Sequence, residues 1–143
     1  MDDVLEQAGD LSGKTIVSCS LPLNASNSDF VIAHTSSGTE TLANRFRKTR
    51  FVLAFNTIPS EVLFDVFEQR NKSNKPSMMY CGDDSKSKEI AAQLIGDIGF
   101  DPLDIGALRM ARYAEPFSMI IAQIAYSGGK GPRVAYRFEW MGK

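Results

Sequence analysis

The sequence predicts one α/β domain over residues 1–143, built on a mostly parallel sheet that helices cover. Short apolar runs, typical of strands buried on both faces, alternate along the chain with segments whose apolar residues recur at helical spacing. No internal repeat or linker interrupts this alternation, and a chain of this length can bury roughly 70% of its unfolded surface. Such an order is typical of βα units wound continuously into one sheet.

The first strand is predicted over residues 14–20, an apolar run that ends before Pro22. The sequence Ser37-Gly38-Thr39-Glu40 then predicts a capping box, in which the serine oxygen accepts the N3 amide and the glutamate returns to the cap amide. The helix should run from there to about Lys48. Its buried positions are predicted to be Leu42, Ala43 and Phe46.

Two further strands are predicted at residues 51–55 and 78–81, each followed by a helix. Pro59-Ser60 supplies the turn and the cap of the first of these helices, which should end near Gln69. Gly82-Asp83-Asp84 caps the second helix, and Gly99 ends it. The apolar positions of this second helix recur at i, i+3, i+4 and i+7: Ala91, Leu94, Ile95 and Ile98.

The last part of the chain is predicted to hold a short edge strand at residues 103–105 and a long helix over residues 107–126. Pro116 should kink or divide this helix because proline lacks a backbone N–H. Residues 134–140 alternate well enough for a strand, yet their length also permits a helical turn or two.

Composition and charge exclude several classes of protein. The formal net charge is −1, with 16 Lys and Arg against 17 Asp and Glu, and no long run of like charges marks a nucleic-acid or membrane partner. Met1 is followed by two aspartates, and the longest apolar stretch, residues 117–125, is too short to span a bilayer. A cytoplasmic protein is therefore expected. Cys19 and Cys81 are expected to be buried free thiols, since neither has a companion at metal or redox spacing.

The predicted sheet and helices also bear on assembly. A sheet made of these strands alone leaves one edge open unless another chain covers it. The long helix at residues 107–126 is more apolar than a helix that faces solvent on one side should be. Both features predict a homodimer.

Short sequence segments, spread in order over almost the whole chain, resemble those of a known family. They lie at residues 8–14, 22–23, 35–40, 54–58, 81–84, 94–104, 108–116 and 123–129. In these the chain resembles the NADPH-dependent deazaflavin-coenzyme reductases, the NADP oxidoreductases of the coenzyme F420-dependent type, and is similar to the reductase domain of the STEAP ferric reductases. The resemblance implies the second, C-terminal half of a Rossmann-type NAD(P)-binding domain, with a C-terminal helix.

The same resemblance implies cofactors and a site. In the family a hydride moves between NADP(H) and a deazaflavin coenzyme, and the protein supplies orientation and electrostatics. The ligands would lie at the carboxyl ends of the strands. In this chain that implies Ser20 and Pro22 after the first strand, and Asn56 and Thr57 after the second, as cofactor-binding residues. It assigns no catalytic residue.

The chain departs from the family pattern in two ways. The family usually has an aspartate and an asparagine where this sequence has Ser18 and Leu21. No G-x-G-x-x-G turn follows any strand, and about two βα units, each of roughly 30 residues, are absent relative to the family pattern. The usual pyrophosphate site is therefore expected to be missing from this chain.

Three functions remain open on these grounds. The chain could be a truncated member of the reductase family that is not competent alone, or an NAD(P)H-dependent oxidoreductase when dimerisation or a complementing chain completes it. The third is a small-molecule binding or interaction module without redox chemistry.

Several residues also have a purely structural interpretation. Asn56-Thr57 can equally be a turn that caps the next helix, and Arg112 with Glu115 is expected to form a surface ion pair rather than a phosphate clamp. His34 has no carboxylate placed nearby in sequence to orient it as a base. We expect the turn at Gly82-Asp83-Asp84 to cap a helix rather than to contact a ligand. No zinc, P-loop or serine-hydrolase spacing occurs in the sequence.

Overall fold

The computed structural model describes residues 2–142 and contains one four-stranded sheet with helices around it. The strands, in sheet order, are β1 (Thr15–Ser18), β2 (Arg50–Leu53), β3 (Ser77–Gly82) and β4 (Asp101–Asp104). The helices are α1 (Asp2–Gln7), α2 (Gly38–Arg45), α3 (Leu63–Glu68), α4 (Ser85–Ile98) and α5 (Ala111–Ala122). Short 3₁₀ turns, Ser60–Val62 and Leu108–Met110, precede α3 and α5, and a π-helical turn, Gln123–Ser127, follows α5.

The sheet is mostly parallel, which confirms the predicted fold class. β1 pairs with β2 in parallel, and β3 pairs with β4 in parallel. The middle pairing, β2 with β3, is antiparallel and short, with Val52 opposite Gly82 and Leu53 opposite Cys81. The carboxyl ends of β1 and β2 therefore lie at the same edge of the sheet as the amino end of β3.

The central strand β2 explains why the core forms. Phe51, Val52 and Leu53 are all buried, so this strand is covered on both faces, as a run of consecutive apolar residues requires. Val52 packs with Met78, Ile95 and Phe100 on one side. Phe51 belongs to a second buried cluster, with Leu42, and Leu53 belongs to a third, with Cys81.

Several predicted boundaries were wrong. The second strand ends at Leu53 rather than Phe55, because Phe55 adopts a φ of 64° that ends the extended backbone. Helix α2 stops at Arg45, short of Lys48, and α1 was not predicted at all. Ser60 does not cap α3 with its side chain; Pro59 and a 3₁₀ turn lead into that helix instead.

The start and the end of α4 were predicted correctly. The Asp84 side chain accepts a hydrogen bond from the Ser87 amide at the N-cap, and Gly99 adopts a left-handed φ of 113° at the C-cap. A side chain at Gly99 would also collide with Arg70, whose Cβ would lie 2.7 Å from the added carbon. Glycine is therefore required here on two grounds.

The segment at residues 134–140 forms neither a strand nor a helix, so both predictions for it were wrong. It nevertheless lies along the start of β3. The Ser77 amide donates to the Tyr136 carbonyl at 2.8 Å, and the Phe138 amide donates to Ser77 Oγ at 3.0 Å. The Tyr136 ring meets Phe117 edge-to-face, with 5.4 Å between centroids. This C-terminal segment (residues 133–138) is thus anchored by two hydrogen bonds with Ser77 and by one inserted aromatic side chain rather than by a continuous strand ladder.

The two cysteines differ. Cys81 is buried in β3, as expected, and burial raises the pKa of its thiol to about 12. Cys19 is exposed, so the expectation for it was wrong. The reason is that β1 ends at Ser18, which leaves Cys19 in the loop beyond the sheet.

No helix among residues 2–142 is long and apolar enough to cross a bilayer.

Candidate functional site

The edge of the sheet where β1 and β2 end holds two adjoining clefts. One, of about 190 Å³, is lined by Asn56 and Ser118 among apolar side chains such as Ile58 and Ile121. The other, of about 170 Å³, is lined by Ser20, Pro22 and the start of α2. Leu21 belongs to both clefts. The chain thus brings the ends of β1, β2 and α5 to one place, which we call the carboxyl-edge site.

Asn56 is the main polar group of the first cleft. Its side chain is 9% exposed, and its Nδ2 donates to the Ala114 carbonyl at 3.1 Å. Because a carbonyl can only accept, this bond fixes which way the amide is turned. The amide oxygen has no hydrogen-bond partner among residues 2–142, so it is the acceptor that the site offers to a ligand.

Thr57 is arranged differently. Its side chain is fully buried, and its hydroxyl lies 2.6 Å from the Tyr136 hydroxyl. Burial raises the pKa of Tyr136, and the hydrogen bond with Thr57 offsets part of that effect. The C-terminal segment therefore closes over Thr57, and the Thr57 hydroxyl is already engaged within the chain.

Ser20 and Pro22 lie in the loop that follows β1. The Ser20 amide is 3.4 Å from Ser18 Oγ, and its side chain is half-buried. Pro22 packs against the start of α2, where a Cβ added to Gly38 would come within 3.0 Å of the proline ring. The structure brings both residues into the second cleft, and a cofactor-binding role for Ser20, Pro22, Asn56 and Thr57 stays a prediction.

The start of α2 contains the feature that sequence analysis missed. Glu115 of α5 is 1% exposed, and its carboxyl oxygens accept hydrogen bonds from the Gly38 amide at 2.8 Å, the Thr39 amide at 3.0 Å and the Thr39 hydroxyl at 2.9 Å. Burial raises the pKa of Glu115, and the Thr39 and Gly38 donors work against that rise. The predicted surface ion pair between Arg112 and Glu115 was therefore wrong.

Arg112 binds Glu40 instead. The Arg112 guanidinium donates to both carboxylate oxygens of Glu40, at 2.8–3.1 Å, in a bidentate arrangement. The predicted capping box forms only in part: the Ser37 oxygen accepts the Glu40 amide, while the Glu40 carboxylate is held by Arg112 and the Ser37 hydroxyl. Burial alone would raise the pKa of Glu40, but the hydrogen bonds from Arg112 and Ser37 outweigh it and lower that pKa.

The turn at residues 82–84 lies at the opposite edge of the sheet. Asp84 pairs with Arg50 at 3.1 Å, and the Thr15 hydroxyl lies 2.8 Å from the Ser87 hydroxyl, so the start of α4 sits beside the starts of β1 and β2. This arrangement follows from the antiparallel pairing of β2 with β3. Asp84 caps a helix there, as predicted, and it is not part of the carboxyl-edge site.

Comparison with known proteins gives this geometry a fold family. No family model matches the chain. A solved structure from Arthrobacter sp. FB24, described as an F420-dependent NADP-reductase, matches with a TM-score of 0.85 over 97% of this chain and 64% of its own, at 23% identity. The chain has a Rossmann-type fold. A hypothetical protein of Sinorhizobium meliloti has a similar structure, with a TM-score of 0.71 over 96% of this chain and 61% of its own, at 20% identity.

A sequence relative supports the same family. The metalloreductase STEAP3 of Rattus norvegicus is 31% identical over 108 residues, which are 76% of this chain and 20% of the relative. The similarity to the STEAP reductases and to the F420-dependent reductase that the sequence indicates is confirmed. The chain spans about a fifth of the length of this curated relative and under two thirds of the two solved structures.

Within this Rossmann-type fold, the remaining sequence candidates lie outside the carboxyl-edge site. His34 is exposed and adopts a φ of 64°, and it lines neither cleft. Among residues 2–142 no group of histidine, cysteine, aspartate and glutamate side chains is arranged to hold a metal ion.

Proposed function

We propose that this chain supplies the nicotinamide side of an NADP(H)-dependent, deazaflavin-linked oxidoreductase and is not competent for hydride transfer alone. The observation that carries the proposal is a contrast at one edge of the sheet. The carboxyl-edge site presents a fixed amide acceptor, Asn56, whereas the helix N-terminus beside it is already occupied by Glu115.

The Asn56 side chain is suited to bind a nicotinamide ring. A carboxamide group needs an acceptor for its N–H₂, and the Asn56 amide oxygen is held in place by the bond to the Ala114 carbonyl. Ser20 lies in the adjoining cleft and would offer a hydroxyl. When bound, NADPH supplies the hydride and the deazaflavin coenzyme accepts it. The part of this chain is to bind and orient the ring.

The N-terminus of α2 is not suited to bind the phosphates of the cofactor. In this fold a pyrophosphate binds where backbone N–H groups at a helix N-terminus point at it. Here the first two amides of α2 donate to the Glu115 carboxyl group instead, and a phosphate would meet that buried acid. We therefore place the phosphate site on another segment or another polypeptide.

The open edge of β1 is where such a segment would join. Among the strands at residues 2–142, β1 pairs with β2 alone. A strand with an unpaired edge can accept another strand through its backbone N–H and C=O groups. A complementing chain that carried the phosphate-binding turn would extend the sheet at this edge.

A second copy of the chain is the other partner that we propose. Tyr113, Phe117, Ile120 and Ile124 follow one another at spacings of four, three and four residues, so they form one stripe along α5 and the turn after it. Ile120 is 56% exposed and Ile124 48%. An apolar stripe of this kind is typical of a helix that packs against another, so the proposed homodimer would bury it.

A non-redox binding module remains the alternative function. The carboxyl-edge clefts are small and largely apolar, so they could hold a small molecule without any hydride transfer. This alternative does not require that the chain bind a nicotinamide ring. The two functions are therefore distinguished by which ligands the chain binds.

The test is a fluorescence titration of the chain with NADPH and with reduced nicotinamide mononucleotide, with NADH and the deazaflavin coenzyme in parallel. If the chain holds only the nicotinamide side, the two reduced nicotinamides bind with similar, weak affinity. Asn56→Ala should weaken both, whereas Asn44→Ala, an exposed asparagine of α2, should weaken neither.

Two results would contradict the proposal. Micromolar binding of NADPH, far tighter than that of the mononucleotide, would mean that this chain has its own phosphate site and is complete as a binding domain. Binding that Asn56→Ala leaves unchanged, or no binding of any nicotinamide up to millimolar concentration, would favour the non-redox module.

A further inference from the structure

A second cleft lies apart from the carboxyl-edge site and is larger than either of its two clefts. It lies between α3, the loop at residues 74–76 and the C-terminal segment, and its volume is about 430 Å³. That volume lies within the range of cavities that bind small molecules. We call it the α3 cleft.

The floor of the α3 cleft is apolar. Val62, in the 3₁₀ turn before α3, and Val66 of α3 are 4% and 9% exposed, and Pro76 and Tyr136 also line the cleft. The Tyr136 ring is held by its hydroxyl bond to Thr57 and by its edge-to-face contact with Phe117. A rigid aromatic side chain and two valines present a surface suited to the flat or branched body of a small organic molecule.

The rim of the α3 cleft is cationic. Lys75, Arg133 and Arg137 line it, and Asp65 is the single carboxylate among the lining residues. Arg133 pairs with Asp65 at 3.4 Å. Arg137 donates to the Asn74 amide oxygen at 3.1 Å and pairs with Glu139. These two arginines are therefore already engaged within the chain.

Lys75 has no such partner. Its side chain is only partly exposed, and no carboxylate within the described residues lies within ion-pair distance of it. Lys88, the other partly buried lysine described, pairs with Asp104 at 2.8 Å. Lys75 is thus a cation at the edge of an apolar cleft with no counter-ion among residues 2–142, so it is available to pair with an anion bound there.

We propose that the α3 cleft binds a small organic monoanion, an aromatic or branched aliphatic carboxylate, with Lys75 as its counter-ion. The carboxylate lies against Lys75 at the rim, and the apolar body lies over Val62, Val66 and Tyr136. A dense polyanion is disfavoured because Arg133 and Arg137 are already paired with Asp65 and Glu139, which leaves Lys75 to offer one positive charge. The site is separate from the proposed nicotinamide function, since neither Asn56 nor Ser20 lines the cleft.

The test is a titration of the full chain, ¹⁵N-labelled, followed by amide chemical shifts. The probes are benzoate, benzyl alcohol with the same ring and no charge, and inorganic phosphate with charge and no ring. Benzoate should shift the amide signals of Gln69, Asn74 and Ala135 saturably, and the other two probes should bind at least severalfold more weakly.

Matched variants isolate the ammonium. Lys75→Gln should weaken benzoate binding by about tenfold, as the loss of a charge-assisted bond does. Lys86→Gln, an exposed lysine on α4, should leave the affinity unchanged. The amide spectrum itself reports whether each variant is folded.

The proposal is overturned if benzoate and benzyl alcohol shift the same signals with equal affinity, because the charge would then contribute nothing. It is also overturned if Lys75→Gln binds benzoate as tightly as Lys86→Gln does. Shifts confined to residues of the carboxyl-edge site, with none around the α3 cleft, would likewise overturn it.

Discussion

Glu115 and Thr39 meet across 76 residues of sequence, where one carboxyl oxygen of Glu115 accepts both the amide and the hydroxyl of Thr39. The contact ties α5 to the first turn of α2 and satisfies N–H groups that no residue within a helix can satisfy. The neighbouring residue, Ala114, accepts the Asn56 amide. One turn of α5 therefore positions both the start of α2 and the polar group of the carboxyl-edge site.

Glu115→Gln should destabilise the fold at neutral pH by about 1–3 kcal/mol. An amide has one acceptor oxygen, and its N–H₂ would face a backbone donor where Glu115 now accepts. Urea unfolding gives the free energy. Glu89→Gln, at an exposed position of α4, is the matched control and should change it by less than about 0.5 kcal/mol. Equal free energies for the two variants would show that the buried carboxyl group does not hold α2.

The Glu40 and Arg112 pair predicts a pH dependence. Because the pKa of Glu40 is lowered in the folded state, its contribution is present above the ordinary glutamate pKa and is lost as pH falls through the lowered value. Glu40→Gln should therefore be less stable than the wild type at neutral pH, and the difference should vanish in acid. Urea unfolding of both proteins across this range measures it. A difference that stays constant with pH would mean that the charge on Glu40 is immaterial.

Tyr136→Phe should destabilise the chain by about 1–2 kcal/mol, because it leaves the fully buried Thr57 hydroxyl without its partner. The ring itself would stay and could still pack against Phe117. Tyr113→Phe is the control, since Tyr113 is 50% exposed. Thermal unfolding should separate the two variants, and coincident transitions would mean that the C-terminal segment adds nothing to the core through this hydroxyl.

The two thiols should differ in reactivity. Cys19 is exposed, whereas burial raises the pKa of Cys81 to about 12, so at mildly alkaline pH Cys81 is both inaccessible and protonated. A disulfide reagent should titrate one thiol per folded chain and both in urea. Cys19→Ser should abolish the reaction of the folded protein. Reaction of both thiols without denaturant would show that β3 opens readily.

The apolar stripe of α5 predicts the size of the assembly. Light scattering should give about twice the 15.8 kDa chain mass, and Ile124→Glu should reduce it to one chain by placing a charge in the interface. Ile90→Glu on α4, where the side chain is 53% exposed, should not change the mass. A wild type that is monomeric at tens of micromolar would contradict the homodimer.

The sequence predicts correctly those features whose deciding interactions are local. The cap at Asp84, the stop at Gly99 and the N-cap at Ser37 depend on residues within one turn of each other, so spacing alone predicts them. It failed where the partner is distant in sequence. Nothing near Glu115 in the sequence indicates that its hydrogen-bond donors lie 76 and 77 residues earlier. From the sequence alone, Glu115 is indistinguishable from an acid that pairs with Arg112 at the surface.

The same reason explains two other differences. Tyr136 and Thr57 are 79 residues apart in the sequence. The alternating pattern at residues 134–140 could therefore be recognised, but the contact between the Tyr136 and Thr57 side chains could not. The direction of β3 relative to β2 could not be predicted, because both directions suit the same buried apolar strand. Of the carboxyl-edge site, the sequence could place Asn56 at a strand end, but it could not show which amide atom is left free.

The reversal between β2 and β3 shapes the electric field of the domain. In a fully parallel sheet the helices point their positive ends to one edge, and the combined potential draws anions there. In this chain α2 begins at one edge and α4 at the other, and Glu115 and Asp84 each place a carboxyl group on those ends. The field of the two helices largely cancels along the strands. The dipoles of these two helices therefore provide no joint attraction for an anion at either edge of the sheet.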